Sequence, residues 1–278
     1  MQQYHDALRH VMENGVDVMD RTGVGTRSVF GYQMRFDLQK GFPAVTTKKL
    51  AWKAVVSELL WFMEGSTDER RLCEILHGSR DPEKTTIWTA NANAQGVALG
   101  YENNDEAKEL GPIYSKQWRD FNGVDQLSAL IEGIKSNPHS RRHIMSAWNA
   151  ADLDKMALPP CHVLSQFYVA NGKLSCHMYQ RSADLFLGVG FNIASYSLLT
   201  HIIAKECGLK VGEFVHSFGD MHIYNTHFDA VNEQLSREPK QLPTLRITEG
   251  KAWNEYVVDD FVLDGYDPHP PIKAPMAV

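Results

Sequence analysis

Cysteine is scarce in this chain and nowhere clustered. Cys73, Cys161, Cys176 and Cys207 are the only four in 278 residues. With no CxxC and no histidine pair at zinc-ligand spacing, neither a disulfide scaffold nor a structural metal site is expected. Long apolar runs are missing too: none approaches the roughly 18 residues that span a bilayer. The start, Met1-Gln2-Gln3-Tyr4-His5, lacks the basic-then-apolar pattern of a leader, and a cytoplasmic location is the expectation. Positive charge is not in excess. A formal charge of −6 argues against a general nucleic-acid-binding surface, while leaving room for a local basic pocket that takes a phosphate. Internal repeats and linkers are absent as well. The expectation is one domain over residues 1–278, long enough to bury a sizeable core.

What is present alternates between helical and strand patterns. Apolar residues at Tyr4, Leu8, Val11 and Met12 fall near helical spacing and predict a first helix that ends at Gly15. The glycine-rich stretch Asp20-Arg21-Thr22-Gly23-Val24-Gly25-Thr26 precedes a strand over 28–36; it could offer N–H groups and an Arg fork to a phosphate, or be a plain hairpin turn. Residues 52–64 are apolar almost all round and predict a buried helix carrying Glu58, a carboxylate that needs either a partner or a proton-handling role. Residues 79–109 are polar and irregular apart from Ile87-Trp88, and read as a loop insertion. A helix is expected over 124–135, a strand over 143–148 opened by Arg141-Arg142, and strands over 164–169 and 174–180 joined by Asn171-Gly172, a strong hairpin signal. A buried helix over 192–207, strand-like 214–218, a helix over 226–236 and strands near 245–247 and 261–263 complete an α/β chain.

The chemistry concentrates around Pro160-Cys161-His162, Gln180-Arg181-Ser182-Ala183-Asp184 and Phe191-Asn192. A thiol near a guanidinium has the parts of an activated nucleophile, because a nearby cation favours the thiolate. A buried structural cysteine is the competing reading. A Cys-His hydrolase fits poorly, since adjacent residues on a strand face opposite ways.

Taken together, these blocks resemble the thymidylate synthase family from end to end. The resemblance rests on Asp20-Arg21-Thr22-Gly23, Glu58-Leu59-Leu60-Trp61-Phe62, Ser140-Arg141-Arg142, Pro160-Cys161-His162, Gln180-Arg181-Ser182-Ala183-Asp184, Phe191-Asn192-Ile193-Ala194-Ser195-Tyr196, Gly219-Asp220-Met221-His222-Ile223-Tyr224 and the C-terminal Ile272-Lys273-Ala274-Pro275-Met276-Ala277-Val278. It implies an α/β (α+β) fold: a large mixed, twisted sheet that packs on its dimer mate, flanked by helices. It implies a phage-type member using dUMP and 5,10-methylenetetrahydrofolate, with no metal, membrane or specific nucleic acid as partner.

The implied roles follow residue by residue. Cys161 would attack C6 of the pyrimidine. Arg181 would hold the phosphate and favour the thiolate, helped at the phosphate by Arg21 and Ser182, with Arg141 and Arg142 reaching across a homodimer interface. Asn192 would read the uracil edge beside Gln180; the cytidylate hydroxymethylases of the superfamily carry Asp at that position. His222 and Tyr224 would hold the ribose, Glu58 would relay protons, and Tyr114 would assist removal of the C5 proton. Asp184 would bind the pterin, Trp88 would wall the exocyclic methylene, and Val278 would close the C-terminus.

Some positions depart from the family pattern: Val189-Gly190 for Leu-Pro, Phe218-Gly219 for Gly-Gly, Ser115 for Gly, and Thr89-Ala90 for an acidic pair. They are expected to cluster around the folate. Trp88 and Val278 favour hydride transfer to give dTMP, while an altered wall would favour water addition to give 5-hydroxymethyl-dUMP. Thymidylate synthase is the expectation, dUMP hydroxymethylase the alternative, and a non-catalytic nucleotide-binding protein the remote one.

Overall fold

The computed structural model describes residues 1–19 and 23–276. Helix α1 (Gln2–Asn14) ends at Gly15 as its spacing predicts. Strands β1 (Val16–Val18) and β2 (Thr26–Asp37) then pair antiparallel, Val18 facing Thr26. Helix α2 (Trp52–Glu64) buries Val55, Val56, Leu59, Trp61 and Phe62 and stops at Gly65, whose φ of 87° suits only a residue without a Cβ. Helices α3 (Glu69–His77) and α4 (Thr89–Asn91) follow, α4 running into a π-helical turn, Ala92–Gly96. Helix α5 (Tyr114–Arg119) comes next, and α6 (Gln126–Ser136) is capped by Asp125, which accepts from the Ser128 amide at 3.0 Å.

The remaining elements build the sheet. Strand β3 (Ile144–Ser146) is shorter than its sequence pattern. Strands β4 (His162–Ala170) and β5 (Lys173–Asp184) form the expected hairpin. Asn171 and Gly172 both hold positive φ, 52° and 68°, the geometry that matches a two-residue turn to strand twist. Helix α7 (Val189–Glu206) crosses to β6 (Lys210–Tyr224), then come α8 (Phe228–Leu235), β7 (Thr244–Ile247) and β8 (Phe261–Asp264). Six strands form a mixed sheet in the order β1-β2-β6-β5-β4-β3, and β7 pairs with β8 apart from it. Among the described residues only the β5–β6 pair is parallel, which requires the crossover that α7 supplies. Most of α7 is buried, explaining why it shows no polar face.

Alternation along β5 divides the two faces. Leu174, Cys176, Met178 and Gln180 point into the core. The opposite face carries Tyr179 beside Leu164, and Ile144 beside Gln166, with Tyr168 61% exposed. That face is apolar in part and uncovered in the single chain.

Three expectations change. The irregular 79–109 stretch contains α4 and the π-helical turn. Residues 214–218 and the motif after them form one long strand, β6. Helix α3 has no counterpart in the sequence-level pattern, because its buried side includes charge: Glu69 and Arg70 are both fully buried. Arg70 Nε and Nη2 donate to the Glu69 carboxylate at 2.7 and 2.9 Å, and Arg70 also donates to the carbonyls of Asp81 and Lys84. Glu69 accepts from the hydroxyls of Thr86 and Thr89 at 2.7 and 2.6 Å. The pair therefore anchors the segment around Trp88 to α3. Removing one partner strands a buried charge, so Arg70→Met should cost about 3–5 kcal/mol in urea unfolding, and Glu69→Leu/Arg70→Met together much less. A single-variant cost no larger than that of a surface substitution would contradict this account.

Candidate functional site

The parallel register of β5 and β6 sets Ser182 beside Asp220 and Asp184 beside His222, while β2 brings Ser28 to His222. Three strand ends thus meet the start of α7, and helices α2 and α5 close the other wall. Between them lies a cleft of about 610 Å³ lined by Cys161, Arg181, Glu58, Trp88, Asn192 and His222, among others. A separate hollow of about 720 Å³ lies between α2, α3 and residues 253–259. No cysteine, serine or threonine is among its lining residues, and its Arg71 is already paired to Glu64 and Glu74.

Cys161 sits just before β4, next to a bulge between His162 and Leu164. Its segment is clamped from β5: the Arg181 amide donates to the Cys161 carbonyl at 2.9 Å, and Arg181 Nε and Nη2 donate to the carbonyls of Pro160 and Pro159 at 2.8 and 3.0 Å. On the other side, Tyr114 Oη accepts from the amides of Cys161 at 2.6 Å and His162 at 3.3 Å. Burial pushes the Cys161 thiol above its usual range, with Arg181 and the Tyr114 hydroxyl pulling it back. Arg181 favours the thiolate as expected from the sequence, but burial outweighs it and the resting thiol is protonated at neutral pH. Burial also lifts Tyr114 well above the usual phenol range, so Tyr114 is a neutral donor at rest.

Glu58 projects from α2 into the same cleft. Burial raises its carboxyl to about 7, against the opposing pull of Trp88 Nε1, which donates to Glu58 Oε1 at 2.7 Å. A carboxyl near 7 can both give and take a proton at neutral pH. Trp88 is fixed in turn by the rings of Trp61, Phe62 and Tyr114, with centroids 5.8–6.2 Å away. His162 points inward between Tyr114 and Tyr196, and burial pushes it down to about 4. A neutral imidazole of that kind is a poor base for Cys161, which weighs against a Cys-His hydrolase.

The far end of the cleft is amide and carboxylate chemistry. Gln180 Nε2 donates to Asn192 Oδ1 at 3.1 Å. Asp220 Oδ1 accepts from Ser28 Oγ at 2.8 Å and faces His222 Nδ1 at 3.0 Å, which leaves His222 Nε2 as the atom available to a ligand hydroxyl. Tyr224 lines the cleft beside it. Asp184 Oδ1 accepts the amides of Phe186 and Leu187, both at 3.0 Å, and shapes the turn into α7.

The structure thus gathers Cys161, Glu58, Tyr114, Arg181, Asn192, Gln180, Ser182, His222, Tyr224, Trp88 and Asp184 around one cleft. It does not bring Arg141 or Arg142 there: both are exposed, and Arg142 borders a different depression with Gln126 and His143. Arg21 and Val278 lie outside the described residues. The departures from the family pattern are not where they were expected. Val189 and Ser115 are fully buried, Phe218 is buried, Gly190 is packed toward Val45, and Thr89 is bound to Glu69; neither they nor Ala90 line the cleft. Ala90 is exposed, and Thr89 is tied to the Trp88 segment through the Thr86 amide, which donates to its hydroxyl at 2.8 Å. The residues missed from sequence are apolar lining: Ile87, Leu158, Leu187, Phe191 and Met276. Only Ile87, an apolar residue in a polar tract, carried a signal, because the others sit in loops or at element ends where periodicity is silent.

A protonated resting thiol has a kinetic signature. Alkylation of Cys161 by iodoacetamide should rise with pH through a midpoint above that of an ordinary cysteine, and Arg181→Ala should slow it further at neutral pH, by about 10-fold or more. A midpoint below the ordinary thiol range would show that the cation dominates burial.

The arrangement has a half-buried thiol near a guanidinium, a carboxyl with a raised pKa against an indole, and two linked carboxamides. The family model described as thymidylate synthase matches residues 2–278. The chain belongs to the thymidylate synthase family, whose members transfer a one-carbon unit from methylenetetrahydrofolate to C5 of dUMP.

Proposed function

We propose that this protein is a thymidylate synthase that converts dUMP to dTMP. The observation that carries the proposal is the convergence of Cys161, Arg181, Glu58 and Asn192 on one cleft. The phosphate would lie on Arg181, whose Nη1 is left free by its backbone contacts, and on Ser182, with Arg21 added on sequence grounds. His222 Nε2 and Tyr224 would take the ribose hydroxyl. Asn192 would offer Nδ2 to O4 and a lone pair of Oδ1 to N3–H, the pattern of uracil and not of cytosine.

In this reading the Cys161 thiol gives its proton to water in the cleft as its sulfur bonds to C6, electron density moves to C5 and O4, C5 forms the new carbon–carbon bond, and the sulfur leaves C6 again when the product forms. Glu58 supplies a proton toward O4, through water, and recovers it later. Tyr114, neutral at rest, holds the water that accepts the C5 proton. Methylenetetrahydrofolate supplies the carbon and the hydride. The cleft fits a flat heteroaromatic co-substrate: Ile87, Leu187 and Phe191 provide apolar walls, and Asp184 keeps Oδ2 for a pterin N–H. Trp88 and its ring cluster exclude water from the new carbon, and none of the departures from the family pattern lines the cleft. Both features favour reduction to methyl over hydration to hydroxymethyl.

We also read residues 1–278 as one catalytic domain that works as a homodimer. The uncovered sheet face with Leu164, Tyr168 and Tyr179 is the surface for a second copy. Arg141 and Arg142, exposed and remote from their own cleft, would reach the partner's phosphate site. The carbonyl of Arg141 is held by Gln166, a residue of that face, at 3.2 Å.

The deciding experiment supplies dUMP and methylenetetrahydrofolate and follows dihydrofolate absorbance with the mass of the nucleotide product. Methyl product with stoichiometric dihydrofolate is expected; hydroxymethyl product without dihydrofolate would overturn the methyl assignment. Cys161→Ala should lose all turnover yet still bind dUMP. A second expectation concerns Glu58: kcat should show a pH limb near 7 that Glu58→Gln removes, with a rate loss of about 10²- to 10⁴-fold. The same group favours the folded state at low pH, because its folded value lies above the usual carboxylate value. That contribution is lost as pH rises through about 7, so Glu58→Gln should gain melting temperature relative to wild type at pH 8 and not at pH 4.

A further inference from the structure

Behind Asn192 lies a buried chain of polar atoms that the reaction itself does not use. Gln180, 3% exposed, spends both protons of Nε2, one on the Ser182 carbonyl at 3.0 Å and one on Asn192 Oδ1 at 3.1 Å. A backbone carbonyl can only accept, so the Ser182 contact fixes which end of the Gln180 amide is nitrogen. The other end, Oε1, faces His216 Nε2 at 2.8 Å, and an amide oxygen also only accepts. His216 must therefore carry its proton on Nε2. Its Nδ1 is buried with no hydrogen-bond partner, which fits a lone pair better than an N–H, the costlier group to strand. The ring is fully buried between Phe214, centroid 5.3 Å away, and Phe218 at 3.9 Å. That burial holds the imidazole neutral, well below its usual pKa.

We infer that His216 is a positioning residue for base discrimination: its Nε2–H locks the Gln180 carboxamide, which locks Asn192 with Nδ2 toward the ligand. The inference rests on the proposed uracil-nucleotide reading. Were Gln180 to turn, its oxygen would face Asn192, and Asn192 would turn its own nitrogen inward and present Oδ1 where uracil O4 belongs. That edge suits the amino group of cytosine. Phe218, at a position where the family pattern has glycine, stacks on His216 and keeps water from replacing either partner. The preference of the cleft for uracil thus depends on a histidine that never touches the base.

The test measures dissociation constants of dUMP and dCMP by calorimetry for wild type, His216→Phe and His216→Gln. Phenylalanine keeps the ring stack and removes the donor, so the dUMP-over-dCMP preference should fall by about 10- to 100-fold, mainly through weaker dUMP binding. Glutamine can donate to the same oxygen and should restore the preference to within about threefold of wild type. An unchanged preference in folded His216→Phe, or an equal loss in both variants, overturns the inference while leaving the nucleotide reading intact; a wild type that binds neither nucleotide sinks that reading. Nitrogen-15 spectra of histidine-labelled wild type decide independently, even where His216→Phe fails to fold. A His216 proton on Nε2 supports the chain of donors, and a proton on Nδ1 refutes it.

Discussion

The parallel pairing of β5 with β6 is the constraint on which the site depends. It aligns Gln180 with Phe218, Ser182 with Asp220 and Asp184 with His222, so residues nearly 40 positions apart in sequence become neighbours at fixed register. Parallel strands cannot be joined by a tight turn, and the connecting helix α7 starts where the strand ends. Asn192, in the first turns of α7, is therefore delivered to the same place. A one-residue slip of β5 would turn Gln180 out of the core and Arg181 away from the Cys161 segment. Cleft chemistry and sheet register are one property.

Burial sets the electrostatics of the site more than charge pairing does. Glu58 is raised, Cys161 is raised in spite of Arg181, and His162 is lowered, in each case chiefly by loss of water. The consequence is that Cys161 and His162 are neutral and Glu58 is about half-protonated at neutral pH, while Asp220 is held ionised chiefly by His222. On the proposed reading an anionic nucleotide meets Arg181 without a competing carboxylate partner, since the contacts of that guanidinium are to carbonyls of Pro159 and Pro160. Those same contacts hold the backbone of the nucleophile. In that reading, phosphate recognition and placement of the thiol are coupled through one side chain.

Much of this was legible in the residues. The Asn171-Gly172 turn and the all-round apolar helix at 52–64 follow from local physics, because turn φ angles and burial period are written in neighbouring positions. Cys161, Arg181 and Asn192 were legible as chemistry, and became a site only through long-range pairing. Helix α3 escaped because its inward positions hold Glu69 and Arg70, and a pattern that equates inside with apolar passes over a buried ion pair. The lining residues Leu158, Leu187 and Met276 escaped because loops have no period, and Phe191 was noted only as the neighbour of Asn192 at the start of α7. The supposed folate-side departures at Val189, Ser115 and Phe218 were misplaced for a related reason: closeness in sequence to a site residue does not say which way a side chain points.

That misplacement bears on the fork between methyl and hydroxymethyl products. A substitution in the lining would act directly, by admitting water or removing a contact. A substitution behind the lining can act only by moving the lining, and here the lining is held from several directions. Trp88 is pinned by three rings and by Glu58, and its segment is tied through Thr86 and Thr89 to the Glu69–Arg70 pair. Close-packed cores transmit such changes as small displacements or as strain, not as open channels. On the proposed reading the wall that keeps water from the new carbon is Trp88 with its ring cluster, and of the changed residues Thr89 is itself one of its ties, through Glu69.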